Sequence, residues 1–333
     1  MTPARPAAAN ELEAWTRGVL GSARPWLEPI AGDAGTRLYF RVHGWHGEAL
    51  LVMYAPDQAD ALGRYTDIRD RLAAAGARVP TIRAGDAAAG CLVISDLGTT
   101  HYLDVLDATR APSLYAAALD TLLGLQRNAA TAGLPPYDEA LLRRELGIFR
   151  EWYLAVHLQR HLSRAEEAAW NTQCDLLVAN ALAQPVAFTH RDYHSRNLMY
   201  LDEGGPGVLD FQDAVLGPVT YDLASLLLDC YVAWPRPRVR QWALDYRDRL
   251  ATAGVLDPAD DGVFLRWFVL MATQRHLKAM GIFARLHHRD GKSGYLGDIP
   301  RTAGYIRAAA LEYPELAPLV PWLGDPSAVP AQP

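Results

Sequence analysis

The sequence has few cysteines, and they are too far apart to form a binding or cross-linking pattern. Cys91, Cys174 and Cys230 are the only three in 333 residues, and each lies in an apolar stretch. An odd number without short spacings excludes a disulfide framework and a zinc motif. We therefore expect buried free thiols in a protein of a reducing compartment, the cytoplasm.

Long apolar runs and clusters of basic residues are also missing. No apolar run approaches the roughly 20 residues that a membrane span requires, and the Pro/Ala-rich residues 1–9 lack the apolar core of a signal peptide. The net charge is −6 and no Lys/Arg run occurs, which gives no electrostatic footprint for nucleic acid. We expect a monomer with neither a membrane nor a nucleic-acid partner.

The apolar pattern changes along the chain from strand-like to helical. Hydrophobic residues make up 50% and charged residues 21%, as in ordinary globular proteins, and the length suggests roughly two domains. The last twenty residues hold six prolines and are predicted to be irregular. Strands are predicted over 38–42, 49–54, 81–83, 91–95, 187–189 and 207–209, and helices over 11–19, 57–75, 112–125, 139–162, 166–182, 221–228, 241–250 and 262–283.

This order of elements predicts an α+β fold with two lobes. A small mixed β amino-terminal lobe, 1–97, would bind a nucleotide. A larger helical lobe, 98–333, would carry the catalytic and substrate-binding residues.

Two polar motifs in the second half predict metal-assisted phosphoryl transfer. The run His190-Arg191-Asp192-Tyr193-His194-Ser195-Arg196-Asn197 reads H-R-D-x-x-x-x-N, and Asp210-Phe211-Gln212 follows a short apolar segment. Protein-kinase-like phosphotransferases supply a catalytic Asp, a metal-binding Asn and a second metal-binding Asp in this order. Asp192 would orient the attacking hydroxyl and accept its proton. Asn197 and Asp210 would bind Mg²⁺ beside the phosphates of ATP.

A second interpretation takes His190, Asp192 and His194 as the metal ligands of a hydrolase. Residues spaced by two on a strand point to the same side. This interpretation gives no role to Asn197 or to the segment at Asp210, and no second His/Asp cluster of matching type is evident. Phosphoryl transfer is therefore the favoured hypothesis.

The glycine-containing segment before the strand 38–42 is a candidate phosphate-binding turn. Gly32, Gly35 and Thr36 could bring backbone N–H groups near phosphate. An ordinary turn is the alternative.

The segment after Asp210 favours a kinase of small molecules. Gly217-Pro218-Val219-Thr220-Tyr221-Asp222-Leu223-Ala224 follows almost directly, with no long activation segment and no A-P-E. These motifs resemble those of the aminoglycoside phosphotransferase/choline kinase-like family. The order of predicted elements over residues 28–310 also resembles that of the family. The resemblance implies a protein-kinase-like fold that uses ATP and Mg²⁺. It also implies a nucleotide-binding hinge formed by Ser95, Asp96 and Leu97.

Within that family, residues 188–199, 209–214 and 226–231 are most similar to bacterial anomeric sugar kinases. The resemblance implies transfer to the 1-hydroxyl of N-acetylmuramate and N-acetylglucosamine, with a sugar 1-phosphate as the product in cell-wall sugar recycling. Two alternatives stay open. One is a kinase for another small acceptor, such as an aminoglycoside, choline or homoserine. The other, suggested by Met53, is a nucleotide-binding or interaction module without catalytic activity.

The sequence departs from the kinase pattern at the phosphate-binding lysine. The strand 49–54 carries Met53 near the expected position, and the helix 57–75 contains no Glu that could pair with a lysine. Loss of both partners leaves no unpaired charge. We expect Arg37 or Arg41 to supply the missing cation; the alternative is that both are solvated strand residues.

An acceptor pocket for a sugar requires polar groups beside aromatic or apolar faces. Arg275, with His276 and Lys278 next to it, could bind a carboxylate, whereas an aminoglycoside pocket would be lined mainly by acids. The alternative for each candidate is an ordinary place in the core or on the surface, without contact to the substrate. The predicted substrate-binding residues are His194, Asp213, Tyr231, Trp234 and Arg275.

Overall fold

The apolar segments near the amino terminus form a five-stranded antiparallel sheet. The structure is a computed structural model that describes residues 9–21, 24–30, 37–55, 59–202 and 204–324. Strands β1 to β5 pair in the order β1-β2-β3-β5-β4. In chain order they are Trp26–Ile30, Leu38–His43, Leu50–Tyr54, Ile82–Asp86 and Cys91–Ser95.

Helices dominate the rest of the described chain, which confirms the predicted α+β fold. None of the helices in these ranges is long and apolar enough to span a membrane. Four short strands, β6 to β9, are Val186–Thr189, Leu198–Met199, Gly207–Val208 and Val215–Pro218, pairing as β6–β9 and β7–β8. The α-helices, α1 to α10, are Ala9–Leu20, Ala59–Ala74, Tyr102–Val105, Ala111–Asn128, Glu139–Ile148, Arg164–Leu182, Tyr221–Leu227, Arg236–Thr252, Asp261–His288 and Ile299–Glu312.

The chain divides into two compact units. The first comprises Met1–Thr121 and Asn197–Asp213, and the second comprises Leu122–Arg196 and Ala214–Pro333. The lobe boundary predicted between residues 97 and 98 stays a prediction.

Side chains along each strand alternate between the two faces of the five-stranded sheet. On one face, Leu12 of α1 packs with Phe40 and Val52 in an apolar cluster. On the other face, Tyr39 of β2 lies opposite Met53 of β3, and Met53 is completely buried. The strand position where a lysine is expected is therefore an apolar core position.

Strand β1 was not predicted from the sequence. Its five residues contain Pro29, which interrupts the alternating pattern and lacks a backbone donor. The strand lies at the edge of the sheet, where such a proline is tolerated.

The long helix α9 runs through the second unit and is buried along most of its length. Gly281 of α9 lies so close to the backbone of Ile148 and Phe149 that a Cβ atom there would be 2.6 Å from their main-chain atoms. The predicted helix over 139–162 is α-helical only as far as Ile148, continues as a π-helical segment over Phe149–His157, and ends five residues earlier than predicted. Apolar spacing predicted a helix there but not the wider turn.

The proline-rich end of the chain is more ordered than predicted. Residues Pro314–Trp322 form a 3₁₀ helix, so the prediction of an irregular tail is wrong for this segment. Leu316, Leu319 and Trp322 are buried in the core of the second unit. A 3₁₀ helix has three residues per turn, and this spacing brings the three apolar side chains to one side.

Candidate active site

The loop that carries Asp192 is held in an unusual backbone conformation. Arg191, the residue before Asp192, has a φ of 77°, which is costly for a side chain other than glycine and occurs mainly where surrounding contacts enforce it. The fully buried Asp222 of α7 accepts hydrogen bonds from the backbone N–H groups of His190 (2.6 Å) and Arg191 (3.0 Å). Asp222 thus anchors the loop that carries Asp192.

A second buried carboxylate fixes the far end of this loop. Asp229 accepts hydrogen bonds from Ser195, from the backbone N–H at 3.0 Å and from Oγ at 2.6 Å. It also accepts the backbone N–H of Tyr231 at 2.9 Å. With Asp222 at one end and Asp229 at the other, the segment around Asp192 is preorganised.

Positive side chains keep Asp192 ionised. Burial alone would raise the pKa of its carboxyl group. Lys278 lowers this pKa most, followed by His194, Arg191 and Arg275, and the pKa is about 2. Asp192 is therefore a carboxylate at neutral pH and can accept a hydrogen bond from a hydroxyl group.

Two of these cations, Lys278 and Arg191, share one buried acid, Glu145 of α5. Its Oε1 atom lies 2.5 Å from Arg191 Nη2 and 3.0 Å from Lys278 Nζ, and its Oε2 atom accepts a hydrogen bond from the Tyr137 hydroxyl. Burial opposes ionisation of Glu145, but Lys278 and Arg191 lower its pKa to about 2. Sequence reasoning missed Glu145, although an acid on the apolar face beside Leu142 and Leu146 is an available signal.

Three of the five predicted acceptor residues line one cavity of the second unit, together with Asp192. They are His194, Tyr231 and Arg275, and Lys278 and the ring of Phe283 also contribute to the wall. The cavity thus combines a carboxylate, cations and aromatic faces, as recognition of a polar ring requires.

The other two predicted acceptor residues lie elsewhere. Trp234 does not line the cavity and packs edge-on against Trp242, with ring centroids 6.2 Å apart. Asp213 belongs to the first unit, where it is exposed and lies 3.5 Å from Gln212 Nε2.

The predicted metal ligands Asn197 and Asp210 lie in the first unit, at the same end of the β7–β8 hairpin. Leu198 pairs with Val208, and the Leu209 backbone N–H donates to the Asn197 carbonyl oxygen at 3.0 Å. Asp210 has a φ of 59°, a second strained position in a candidate functional residue. Asparagine and aspartate oxygens are suitable ligands for Mg²⁺.

The two candidate phosphate-binding arginines have different partners. Arg41 Nε lies 2.7 Å from Asp96 Oδ2, and the side chain of Asp96 is only 4% exposed. Arg37 Nη2 lies 3.3 Å from Asp210 Oδ1, and Arg37 Nη1 is buried without a hydrogen-bond partner among the described residues. Arg41 thus forms an ion pair with Asp96 of the predicted hinge, whereas Arg37 forms an ion pair with the predicted metal ligand Asp210.

The structure describes only some of the other residues that were predicted to bind the nucleotide. Gly32, Gly35 and Thr36 lie outside the described residues. In the hinge, Ser95 Oγ accepts the Thr81 backbone N–H at 2.8 Å, and Asp96 Oδ1 accepts that of Gly98 at 2.9 Å. The nucleotide-binding role of these residues and of Leu97 stays a prediction.

The hydrolase interpretation gains no support from the geometry. Within the described ranges, no group of three or more His, Cys, Asp or Glu side chains is arranged to hold a metal ion. Side chains of His190, Asp192 and His194 therefore do not form the three-ligand site that this interpretation requires.

Comparison with solved structures defines the class of the fold. The structure is similar to that of a choline/ethanolamine kinase family protein from Mesorhizobium loti, with a TM-score of 0.62 over 94% of this chain and 98% of that chain at 16% identity. This likeness shows that the chain has a protein-kinase-like fold.

The chain belongs to the phosphotransferase enzyme family, whose model matches residues 26–260. It is 48% identical to the N-acetylmuramate/N-acetylglucosamine kinase of Pseudomonas aeruginosa, over 88% of this chain and 86% of the relative. It is 45% identical to the enzyme of the same name from Pseudomonas putida, over 92% of this chain and 88% of that relative. The family predicted from the motifs is confirmed, and the protein is a phosphotransferase.

Proposed function

We propose that this phosphotransferase transfers the γ-phosphoryl group of ATP to the anomeric 1-hydroxyl of N-acetylmuramate and N-acetylglucosamine. The observation that carries the proposal is the cavity where the ionised Asp192 lies beside cationic and aromatic side chains. The names and high coverage of the two Pseudomonas relatives support the choice of sugar.

In this proposal Asp192 orients the sugar hydroxyl. A carboxylate with a pKa of about 2 is a weak base, so it does not remove the proton from a resting hydroxyl group. It accepts a hydrogen bond and takes the proton as the bond to phosphorus forms, which suits a loose transition state for phosphoryl transfer. The anchors at Asp222 and Asp229 hold the carboxylate in place for this step.

The donor set of Asn197 and Asp210 fits Mg²⁺. Their oxygens are hard ligands of the kind that Mg²⁺ prefers beside phosphates. Such an ion would neutralise charge on the phosphates of ATP. Both residues are fixed by the β7–β8 hairpin, and Gln212 Nε2 donates to Asp210 Oδ1 at 2.9 Å.

Arg37 replaces the missing lysine in this proposal. Its guanidinium group lies beside the metal ligand Asp210 and retains a buried N–H donor without a partner among the described residues. Phosphate oxygens would satisfy that donor and share the charge of Arg37. With Arg37 in this role, no cation is required at the strand position that Met53 occupies.

The charges of the cavity disfavour two other acceptors. Choline and aminoglycosides are cationic, and Arg275 and Lys278 would repel them from this cavity. Of its two acids, Asp192 already lies near positive charges, and Asp229 already accepts hydrogen bonds from Ser195 and Tyr231. An acidic or neutral amino sugar meets no such repulsion.

The test is a coupled assay of ADP release with five acceptors: N-acetylmuramate, N-acetylglucosamine, glucosamine, kanamycin and choline. We expect ADP release only with the N-acetylated amino sugars and only when Mg²⁺ is present. Phosphorylation at carbon 1 also removes the reducing end, so reducing-sugar colour should fall in proportion to ADP. ADP release without loss of the reducing end would contradict the anomeric position.

A further inference from the structure

Arg275 is a buried cation without a bonding partner among the described residues. It is 8% exposed, in the middle of α9, and it lines the cavity that contains Asp192. Within the described part of the chain its side chain makes no hydrogen bond and no ion pair, and Nε is buried without a partner. It lies over the ring of Tyr221, whose centroid is 5.0 Å from the guanidinium carbon.

Two other cations that act on Asp192 differ from Arg275 in this respect. Lys278 and Arg191 share the carboxylate of Glu145 at bonding distance, so each of them has a bonded acid within the protein. The negative charges of Asp192 and Asp222 act on Arg275 only at longer range. A buried charge without hydrogen bonds is costly to the fold, and this cost is offset when a ligand supplies the missing acceptor.

We propose that Arg275 binds a carboxylate group of the acceptor and thereby sets the preference for acidic amino sugars. The inference rests on the proposed function. The planar guanidinium group presents paired N–H donors that match the two oxygens of a carboxylate. N-acetylmuramate carries a lactyl carboxylate that N-acetylglucosamine lacks, and the two sugars are otherwise alike. Arg275 therefore discriminates between them.

A phosphate contact is the competing role for this arginine, and the two roles differ in their consequences. The transferred phosphoryl group is the same for both sugars, so loss of a phosphate contact lowers both activities by the same factor. Loss of a carboxylate contact lowers the activity with N-acetylmuramate more. The ratio of the two kcat/KM values therefore reports the carboxylate contact alone.

The first experiment compares Arg275→Gln with Arg144→Gln, a matched change at an exposed arginine of α5. For each variant, kcat/KM is measured with both sugars. We expect the ratio of N-acetylmuramate to N-acetylglucosamine to fall about 10- to 100-fold in Arg275→Gln, as for loss of a hydrogen bond between charged groups. Arg144→Gln should keep the wild-type ratio. An unchanged ratio in Arg275→Gln would overturn the inference.

A second experiment changes the ligand and leaves the protein intact, so it holds even if Arg275→Gln does not fold. The wild-type enzyme is assayed with N-acetylmuramate and with its methyl ester, which removes the negative charge. We expect kcat/KM to be at least about tenfold lower with the ester, and equal values would overturn the inference. If the wild-type enzyme releases no ADP with either parent sugar, the proposed function itself fails.

Discussion

Replacement of Gly281 by alanine should destabilise the protein although alanine favours a helix. A Cβ atom at this position would lie 2.6 Å from the carbonyl carbon and oxygen of Ile148 and from the nitrogen of Phe149. These are backbone atoms, so α9 and the chain at the end of α5 must move apart. Overpacking of this kind costs about 1–3 kcal/mol, and the backbone contact places this case at the upper end. The gain from replacing a helical glycine is about 1 kcal/mol.

The steric cost exceeds the propensity gain, so we expect Gly281→Ala to lower the free energy of unfolding by roughly 2 kcal/mol. Gly304 of α10 is the matched control because no packing neighbour lies within 4 Å of the position that a Cβ atom would take. Gly304→Ala should raise the free energy of unfolding by about 0.5–1 kcal/mol. Urea unfolding followed by tryptophan fluorescence measures both. A Gly281→Ala protein at least as stable as the wild type would refute the reasoning.

Two further predictions concern the charged residues of the site. Lys278→Met removes a positive charge near Asp192, so the pKa of Asp192 should rise from about 2 and the acidic limb of the kcat/KM profile should move to higher pH. Arg37→Ala should weaken Mg²⁺-ATP binding about 10- to 100-fold, measured by titration calorimetry, because it removes the proposed phosphate ligand.

Each of these predictions has a control. Lys292→Met changes the only other lysine of the sequence and should leave the pH profile in place. Arg64→Ala changes an exposed arginine of α2 and should leave ATP affinity unchanged. An acidic limb that stays in place or moves to lower pH in Lys278→Met contradicts the charge argument. Wild-type ATP affinity in Arg37→Ala contradicts the role of Arg37.

The sequence was sufficient for the class of fold and for the order of the catalytic motifs. Strands such as β3 and β5 have clear apolar patterns, and the spacing from Asp192 to Asn197 is local information. The 3₁₀ helix Pro314–Trp322 was missed because its prolines suggest irregular chain while its apolar residues repeat every third position. Strand β1 was missed for a similar reason, since Pro29 obscures its pattern.

Long-range pairing explains most of what the sequence left open in the site. Arg37 and Arg41 are the same residue type only four positions apart, and only the fold shows that Arg41 pairs with Asp96 and Arg37 with Asp210. The buried Glu145 lies 46 positions before Arg191, so no local pattern connects them. Burial of Arg275 without a partner among the described residues is likewise a property of the folded chain.

The rate of sugar-dependent ADP release by Asp192→Asn tests the central claim most directly. Asparagine preserves the size of the side chain but cannot take a proton from the sugar hydroxyl. We predict that the wild-type enzyme releases ADP with N-acetylmuramate and that the variant is at least about 100-fold slower while it still binds ATP. A variant that retains the wild-type rate would contradict the assignment of Asp192 as the catalytic residue.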